Sequence, residues 1–280
     1  MQAPVPGARA TVNTPAPTAP LVYITGASSG IGQALALRFF RAGYRLALVA
    51  RRGAELEAWA RGQGLPPERW AVYAADVRDT AAITAAGRAC IAAQGLPDVV
   101  IANAGISVGM DTADPADLEV MRATLETNVL GVAATFQPFV EPMGERRHGS
   151  LVGIASVAGI RGLPGHGAYC ASKAAVIGYC ESLRGECRGQ GVRVVTIAPG
   201  YIDTPLTRGN RYSMPFLMPA EAFADRAFAA IAAGVSYRVI PWQMGVVAKL
   251  LRLLPDALFD RLLAGRPRKR RRQGGPAPGG

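Results

Sequence analysis

The sequence predicts an α/β fold, a single domain doubly wound around a mostly parallel, seven-stranded sheet. Three observations carry that expectation. Short apolar runs alternate with helical stretches between positions 21 and 240, the pattern by which right-handed crossovers cover both faces of a parallel sheet. A glycine-rich segment, Thr25-Gly26-Ala27-Ser28-Ser29-Gly30-Ile31-Gly32, joins the first apolar run to the first helical one, which makes the layout Rossmann-type. Half of the 280 residues are hydrophobic and 18% are charged, so the chain can bury a sizeable core.

The elements follow in order. Leu21 to Thr25 is a buried strand by its continuous apolar run. Residues 31–42 have helical apolar spacing and stop at Gly43, a candidate C-cap. Residues 45–50 and 70–75 read as the second and third strands, with a helix over 54–61 between them. A helix over 80–93 leads to the fourth strand at 98–102. A long helical region covers about 115–140, followed by strand five at 150–155. A long helix over 168–188 precedes strand six at 192–197, and a helix over 219–233 precedes a short last strand at 237–240.

The glycine segment lies where a phosphate-binding turn needs it. Gly26 permits a tight turn, Gly30 lets backbone approach a pyrophosphate, and Gly32 lets helix and strand pack closely. Ser28, Ser29 and Ile31 complete the turn, and the helix N-terminus offers unpaired N–H groups to an anion. The second strand ends in Ala50-Arg51-Arg52 with no acid. An acid there would bind a ribose 2′-hydroxyl, whereas a guanidinium suits a 2′-phosphate, so NADP(H) is expected over NAD(H). Arg51 is the first candidate and Arg52 the second.

A second constellation is Ser156, Tyr169 and Lys173. Tyr169 follows Ser156 by thirteen residues and Lys173 lies four further on. Four residues is one helical turn, so phenol and ammonium share a face. A neighbouring cation favours the phenolate and brings the group toward proton-transfer work at neutral pH.

Assembled in this order, the residues resemble the short-chain dehydrogenase/reductase family over about 21–240. The motifs that carry the resemblance are Thr25 to Gly32, Asp76-Val77, Asn103-Ala104-Gly105, Asn128, the Ser156, Tyr169 and Lys173 set, and Pro199-Gly200 with Thr204. Ala102 stands where the family often has asparagine. The resemblance implies hydride transfer between a nicotinamide and a carbonyl or alcohol carbon. Tyr169 would be the general acid/base, Lys173 would lower the phenol pKa and hold ribose hydroxyls, and Ser156 would bind the substrate oxygen. Asn128 would hold a water linking Lys173 to solvent. Asp76 would recognise adenine, with Val77, Asn103, Ala104, Gly105, Pro199, Gly200, Ile202 and Thr204 lining the cofactor cleft. Homo-oligomerisation through the helices at about 115–140 and 168–188 is implied as well. A dinucleotide-binding regulatory or scaffold protein without turnover is the alternative.

Residues 207–218 are expected to form a mobile segment over the site; Tyr212, Met214, Phe216, Leu217 and Met218 suit a nonpolar substrate. His166 reads as a pocket or surface residue. In 242–263, Val247, Leu250, Leu251, Leu254, Leu258 and Leu262 follow helical spacing, and Pro255 divides the segment into two helices. Both are too short to span a bilayer, which needs ~20 apolar residues. The net charge is +11; the basic run over 266–272 holds six of those charges, leaving +5 elsewhere. The extension could pack on the body, extend an oligomer interface, or lie on an anionic membrane. No nucleic-acid fold signature accompanies the basic run, so nucleic acid is not the expected partner.

Four cysteines without a Cys-x-x-Cys pair and two histidines argue against a zinc site or disulfide framework. Reduced thiols in the cytoplasm, with peripheral contact at the inner membrane surface as an option, are the expectation. The Pro/Ala/Thr-rich start does not read as a secretory signal. The expected organisation is a disordered leader over 1–20, the catalytic domain over 21–241, an amphipathic helical extension over 242–265, and a basic then Gly/Pro-rich disordered tail over 266–280.

Overall fold

The structure, a computed structural model, describes residues 19–210, 212–265, 269 and 271. Most of the expected leader and most of the expected tail therefore lie outside the described residues.

The sheet forms as the alternation predicts. Strands β1 (Leu21–Thr25), β2 (Arg45–Ala50), β3 (Trp70–Ala74), β4 (Val99–Ala102), β5 (Gly149–Ile154) and β6 (Val192–Pro199) are joined at the edge by a short strand, Tyr237–Ile240. All neighbours are parallel, and the last strand lies beside β6 at the edge opposite β3. The order is β3-β2-β1-β4-β5-β6 and then that strand. Direction of travel reverses between β1 and β4, the crevice where doubly wound sheets bind ligands.

Alternate residues of each strand face alternate layers. Val22, Ile24, Leu46, Leu48, Ile101 and Val195 meet Leu35 and Phe39 of α1 (Gly30–Arg41) and Phe223 of a later helix. Tyr23, Val49, Val100, Leu151 and Val194 face the opposite layer with Ile83, Phe136 and Phe139. On the first face lie α1, α2 (Gly53–Gly62) and a helix over Ala220–Ala232; α3 (Thr80–Gln94), α5 (Gly131–Arg146) and α6 (Gly167–Glu186) cover the second. Asp98 ends outside β4 because its carboxylate accepts the Leu21 amide hydrogen at 2.8 Å, fixing the start of β1 instead.

The long helical region expected over 115–140 forms, with one π-turn inside it. Helix α4 (Asp117–Leu125) passes through one π-turn, Glu126–Leu130, before α5 continues to Arg146. The Asn128 side chain is the cause we identify. Its Oδ1 accepts from the Ile106 amide at 2.8 Å, and its Nδ2 donates to the Ile106 carbonyl and to Ser172 Oγ, each at 2.9 Å. Such single π-turns concentrate where a side chain must be aimed. Pro138 does not end α5; it packs against α3, where a Cβ on Gly87 would lie 2.5 Å from Pro138 Cγ.

After β6 come β7 (Ile202–Asp203), the single turn α7 (Pro205–Arg208) and β8 (Met218–Pro219), which pairs with β7. Helix α8 (Ala220–Ala232) and β9 (Tyr237–Ile240) complete the core. Helices α9 (Trp242–Leu253) and α10 (Asp256–Leu263) form the extension, divided at Pro255 as expected. Their packing residues differ from the predicted row. Met244, Ala248 and Phe259 are buried, whereas Leu250, Leu258 and Leu262 are exposed. One buried guanidinium sets this arrangement. Arg161 Nη1 donates to the carbonyls of Leu251, Arg252 and Leu254 at 2.7, 2.9 and 2.9 Å. Its Nη2 pairs with Asp256 at 2.9 Å, and its plane lies 3.9 Å over the Phe259 ring. A cation at carbonyls left open by a helix end is well placed.

Candidate active site

The glycine turn is closed by contacts that exclude any larger residue. Gly26 sits at φ +65°, and a Cβ there would meet Ala104 Cα at 2.8 Å. A Cβ on Gly32 would lie 2.1 Å from the Gly26 carbonyl oxygen. Ser28, Ser29, Gly30 and Ile31 complete the passage into α1, whose first turn receives no side-chain cap from Ser29. Open N–H groups at a helix start, with no Cβ in front of them, fit a pyrophosphate.

Asn103 and Ala104 hold this turn in place. Both backbone amides donate to Thr25 Oγ1, at 3.1 and 3.2 Å. The Asn103 amide nitrogen donates to the Thr25 and Gly26 carbonyls at 3.0 and 3.2 Å. Gly105 passes so close to the chemistry that a Cβ would lie 3.3 Å from Asn128 Oδ1 and 3.5 Å from Lys173 Nζ. Thr204 closes the other side: a Cβ on Gly30 would be 3.1 Å from Thr204 Cβ. Pro199 ends β6, Gly200 donates to the Ile240 carbonyl at 2.8 Å, and Ile202 is buried. Val77 packs against Gly131.

At the end of β2, Arg51 and Arg52 are exposed, and Arg52 pairs with Glu55 at 3.1 Å. Asp76 is engaged by a partner the sequence reading did not weigh. Arg78 donates to it from Nε at 3.0 Å, from Nη2 at 2.7 Å and from its backbone at 3.0 Å. Burial alone would raise the Asp76 carboxyl, but these bonds hold it below the usual value.

Ser156, Tyr169 and Lys173 come together at the end of β5 and the start of α6. Ser156 Oγ accepts from the Ala158 amide at 3.1 Å, and it lines the same pocket as the Tyr169 phenol. The phenol does not behave as the neighbouring ammonium predicts. Burial pushes its pKa up, and only the Ser156 side chain opposes that. Lys173 Nζ lies 5.8 Å from the Tyr169 ring centroid and donates to the Ile154 carbonyl at 2.8 Å. Its burial pulls its own pKa down to about 8. Desolvation is thus the largest influence on both groups. Asn128 gives both of its amide hydrogens to protein acceptors, Ile106 O and Ser172 Oγ, and so positions the 105–107 backbone against α6.

Above this group lies a pocket of about 140 Å³. Ser156, Tyr169 and His166 line it together with an apolar wall of Leu163, Leu206, Met244, Val247, Ala248 and Leu251. His166 is buried and its Nε2 lies 3.4 Å from the Tyr212 hydroxyl. Of the expected covering segment, Tyr212 reaches the pocket, Phe216 and Leu217 are exposed, and Met218 is buried in the body. Sequence reasoning missed Ser107, Arg161, Tyr201 and Lys269 as pocket residues. Cys170 is a packing residue, buried beside Tyr169 with its thiol pushed up. Among the described residues no cluster of His, Cys, Asp or Glu could hold a metal ion.

The lysine gives a testable consequence. Its ordinary value is 10.5 and its folded value about 8, so between these the unfolded chain binds more protons and stability rises with pH. Wild type should gain about 2 kcal/mol over Lys173→Met between pH 7 and 10, read from denaturant midpoints. A difference that stays flat with pH would show that the ammonium is not desolvated.

Comparison with known proteins agrees with this geometry. The profile of the short chain dehydrogenase family matches residues 20–214. An uncharacterized oxidoreductase of Myxococcus xanthus is 41% identical over 242 residues, covering 85% of this chain and 93% of that protein. Dehydrogenase/reductase SDR family member 7B of Bos taurus is 34% identical, covering 90% of this chain and 82% of that one. Among solved structures, an alcohol dehydrogenase from the archaeon Thermococcus sibiricus, complexed with 5-hydroxy-NADP, superposes with a TM-score of 0.69 at 25% identity, covering 79% of this chain and 95% of its own. With its glycine turn, its Ser156, Tyr169 and Lys173 grouping and these matches, the chain belongs to the short chain dehydrogenase family of oxidoreductases.

Proposed function

We propose that the protein is an NADP(H)-dependent oxidoreductase that interconverts a carbonyl and an alcohol on a nonpolar substrate, with Tyr169 as general acid/base. The observation that carries this reading is that Ser156 and Tyr169 line one apolar-walled pocket, with buried Lys173 one helical turn from Tyr169 and its Nζ 5.8 Å from the Tyr169 ring centroid. A nicotinamide, when bound, supplies or accepts the hydride. The protein supplies the remainder. Tyr169 gives its phenolic proton to the substrate oxygen in reduction and takes it back in oxidation. Ser156 Oγ, next to that phenol, hydrogen-bonds the same oxygen and stabilises the charge it develops. Lys173, with one donor on Ile154 O, has two further N–H groups for ribose hydroxyls. The apolar wall excludes water and selects a nonpolar body.

Tyr169→Phe should lower kcat by about 10²- to 10⁴-fold while the dinucleotide Kd changes little, measured with a panel of ketones, aldehydes and alcohols at the NADPH absorbance band. Full activity in that variant would remove Tyr169 from its role. Cofactor binding without turnover of any panel member in wild type would favour the scaffold alternative.

The NADP(H) preference rests on Arg51, an exposed residue just after β2, a strand that ends without an acid in sequence. The NADP-type ligand of the archaeal relative supports it. NADPH should bind at least about tenfold tighter than NADH, and Arg51→Ala should remove most of that margin, by the usual strength of charge-assisted hydrogen bonds. Tighter binding of NADH to wild type would overturn the preference.

A specific observation favours one addition, contact with an anionic membrane through 242–272. Trp242, Val246, Leu250 and Leu253 leave α9 exposed along one side, and Leu258 and Leu262 do so on α10. Exposed Lys249, Arg252 and Arg261 lie among them, and the basic run follows. Apolar side chains with interspersed cations suit a surface of anionic lipid. No helix among the described residues is long and apolar enough to cross a membrane. The full chain should co-sediment with phosphatidylserine-containing vesicles far more than with neutral ones, and Leu250→Glu should reduce this. Equal partitioning, with a dimeric or larger mass that Leu250→Glu lowers, would assign the face to a second copy instead.

A further inference from the structure

Two cations line the pocket, Arg161 and Lys269. Arg161 has an acidic partner in Asp256. Lys269 has none among the described residues. Its ammonium donates to the Leu206 carbonyl at 2.9 Å and to Asn210 Oδ1 at 2.8 Å, both neutral acceptors. It is half-buried, and burial alone lowers its pKa. A cation that has lost water and gained no counter-ion is incompletely compensated. It is close enough to His166 to add to the lowering that burial imposes on that imidazole, and His166 lines the same pocket as Tyr169.

The placement is fixed from both sides. Two residues on, Arg271 pairs with Asp117 at 2.7 Å and with Asp114, and it forms a parallel bridge to Gly109. Lys269 thus meets the 206–210 segment and Arg271 the 109–117 segment. Both carboxylates on the far side are engaged by Arg271, so neither neutralises Lys269.

We propose that Lys269 is a substrate-recognition residue and that the substrate is an amphiphile: a carbonyl or alcohol on an apolar body, with a carboxylate held by the Lys269 ammonium. This rests on reading the pocket as the substrate chamber. The apolar wall that lines the pocket with Tyr169 and Lys269 takes the body of such a molecule. One ammonium matches one negative charge, which favours a carboxylate over a doubly charged phosphate.

The test is calorimetric titration of the full chain, with and without NADP+, by octanoate and by its neutral analogue octanamide. Octanoate should bind about tenfold tighter, the effect of one charge-assisted hydrogen bond. Lys269→Met should bring the ratio of the two affinities to about one, and Lys269→Arg should keep most of it, which separates loss of charge from loss of fold. A ratio near one in wild type, a ratio that Lys269→Met leaves unchanged, or no binding of either ligand would overturn the assignment. The readout requires no turnover, so failure here is distinguishable from failure of the oxidoreductase reading, which registers in the Tyr169→Phe kinetics.

Discussion

The working end of this molecule depends on the tie between the ends of β1 and β4. The Thr25 hydroxyl accepts two backbone amides from across the crevice, and the Asn103 side chain reaches back to the Thr25 and Gly26 carbonyls. These groups are partly buried, where an unmet donor or acceptor costs about 1–3 kcal/mol. The tie sets the distance between two strands that diverge in connectivity. It also presses Gly26 against Ala104, so the turn has room for glycine alone. From there the constraint passes along the backbone. Gly105 lies over Lys173 and Asn128, and Asn128 holds Ile106 and Ser172. The glycine turn and the surroundings of Lys173 are thus one connected structure.

Burial governs the electrostatics at that end. Lys173 is buried and Tyr169 largely covered, and each is driven toward its neutral form. The raised pKa keeps the proton on the phenol. An amine whose pKa falls to about 8 sits close enough to neutrality for its charge to respond to what binds beside it.

Much of this was legible in the chain. The strands were, because each is a short apolar run ended by a change in composition, and parallel burial on both faces requires such runs. The grouping of Tyr169 with Lys173 and the form of the glycine turn were, because their spacing is tied to local geometry: one turn of α6, one strand-to-helix turn. What escaped is non-local. The π-turn inside the 115–140 region comes from a side chain bonded to Ile106, 22 residues away. The direction of the Tyr169 shift follows from how much protein covers it, which spacing does not encode. Arg161 and Lys269 gave no signal because their partners are 90 and 63 residues distant. The basic run read as tail, since charge density alone cannot tell that one ammonium enters a pocket.

The guanidinium of Arg161 joins the loop after the Ser156 strand to the end of α9 and the beginning of α10. Its four acceptors lie in the last turn of α9, in the link after it and at the start of α10, yet it is one planar, stiff group. Neither helix can tilt alone without breaking bonds to this shared anchor. Displacing that wall of the pocket therefore means moving both helices as a unit.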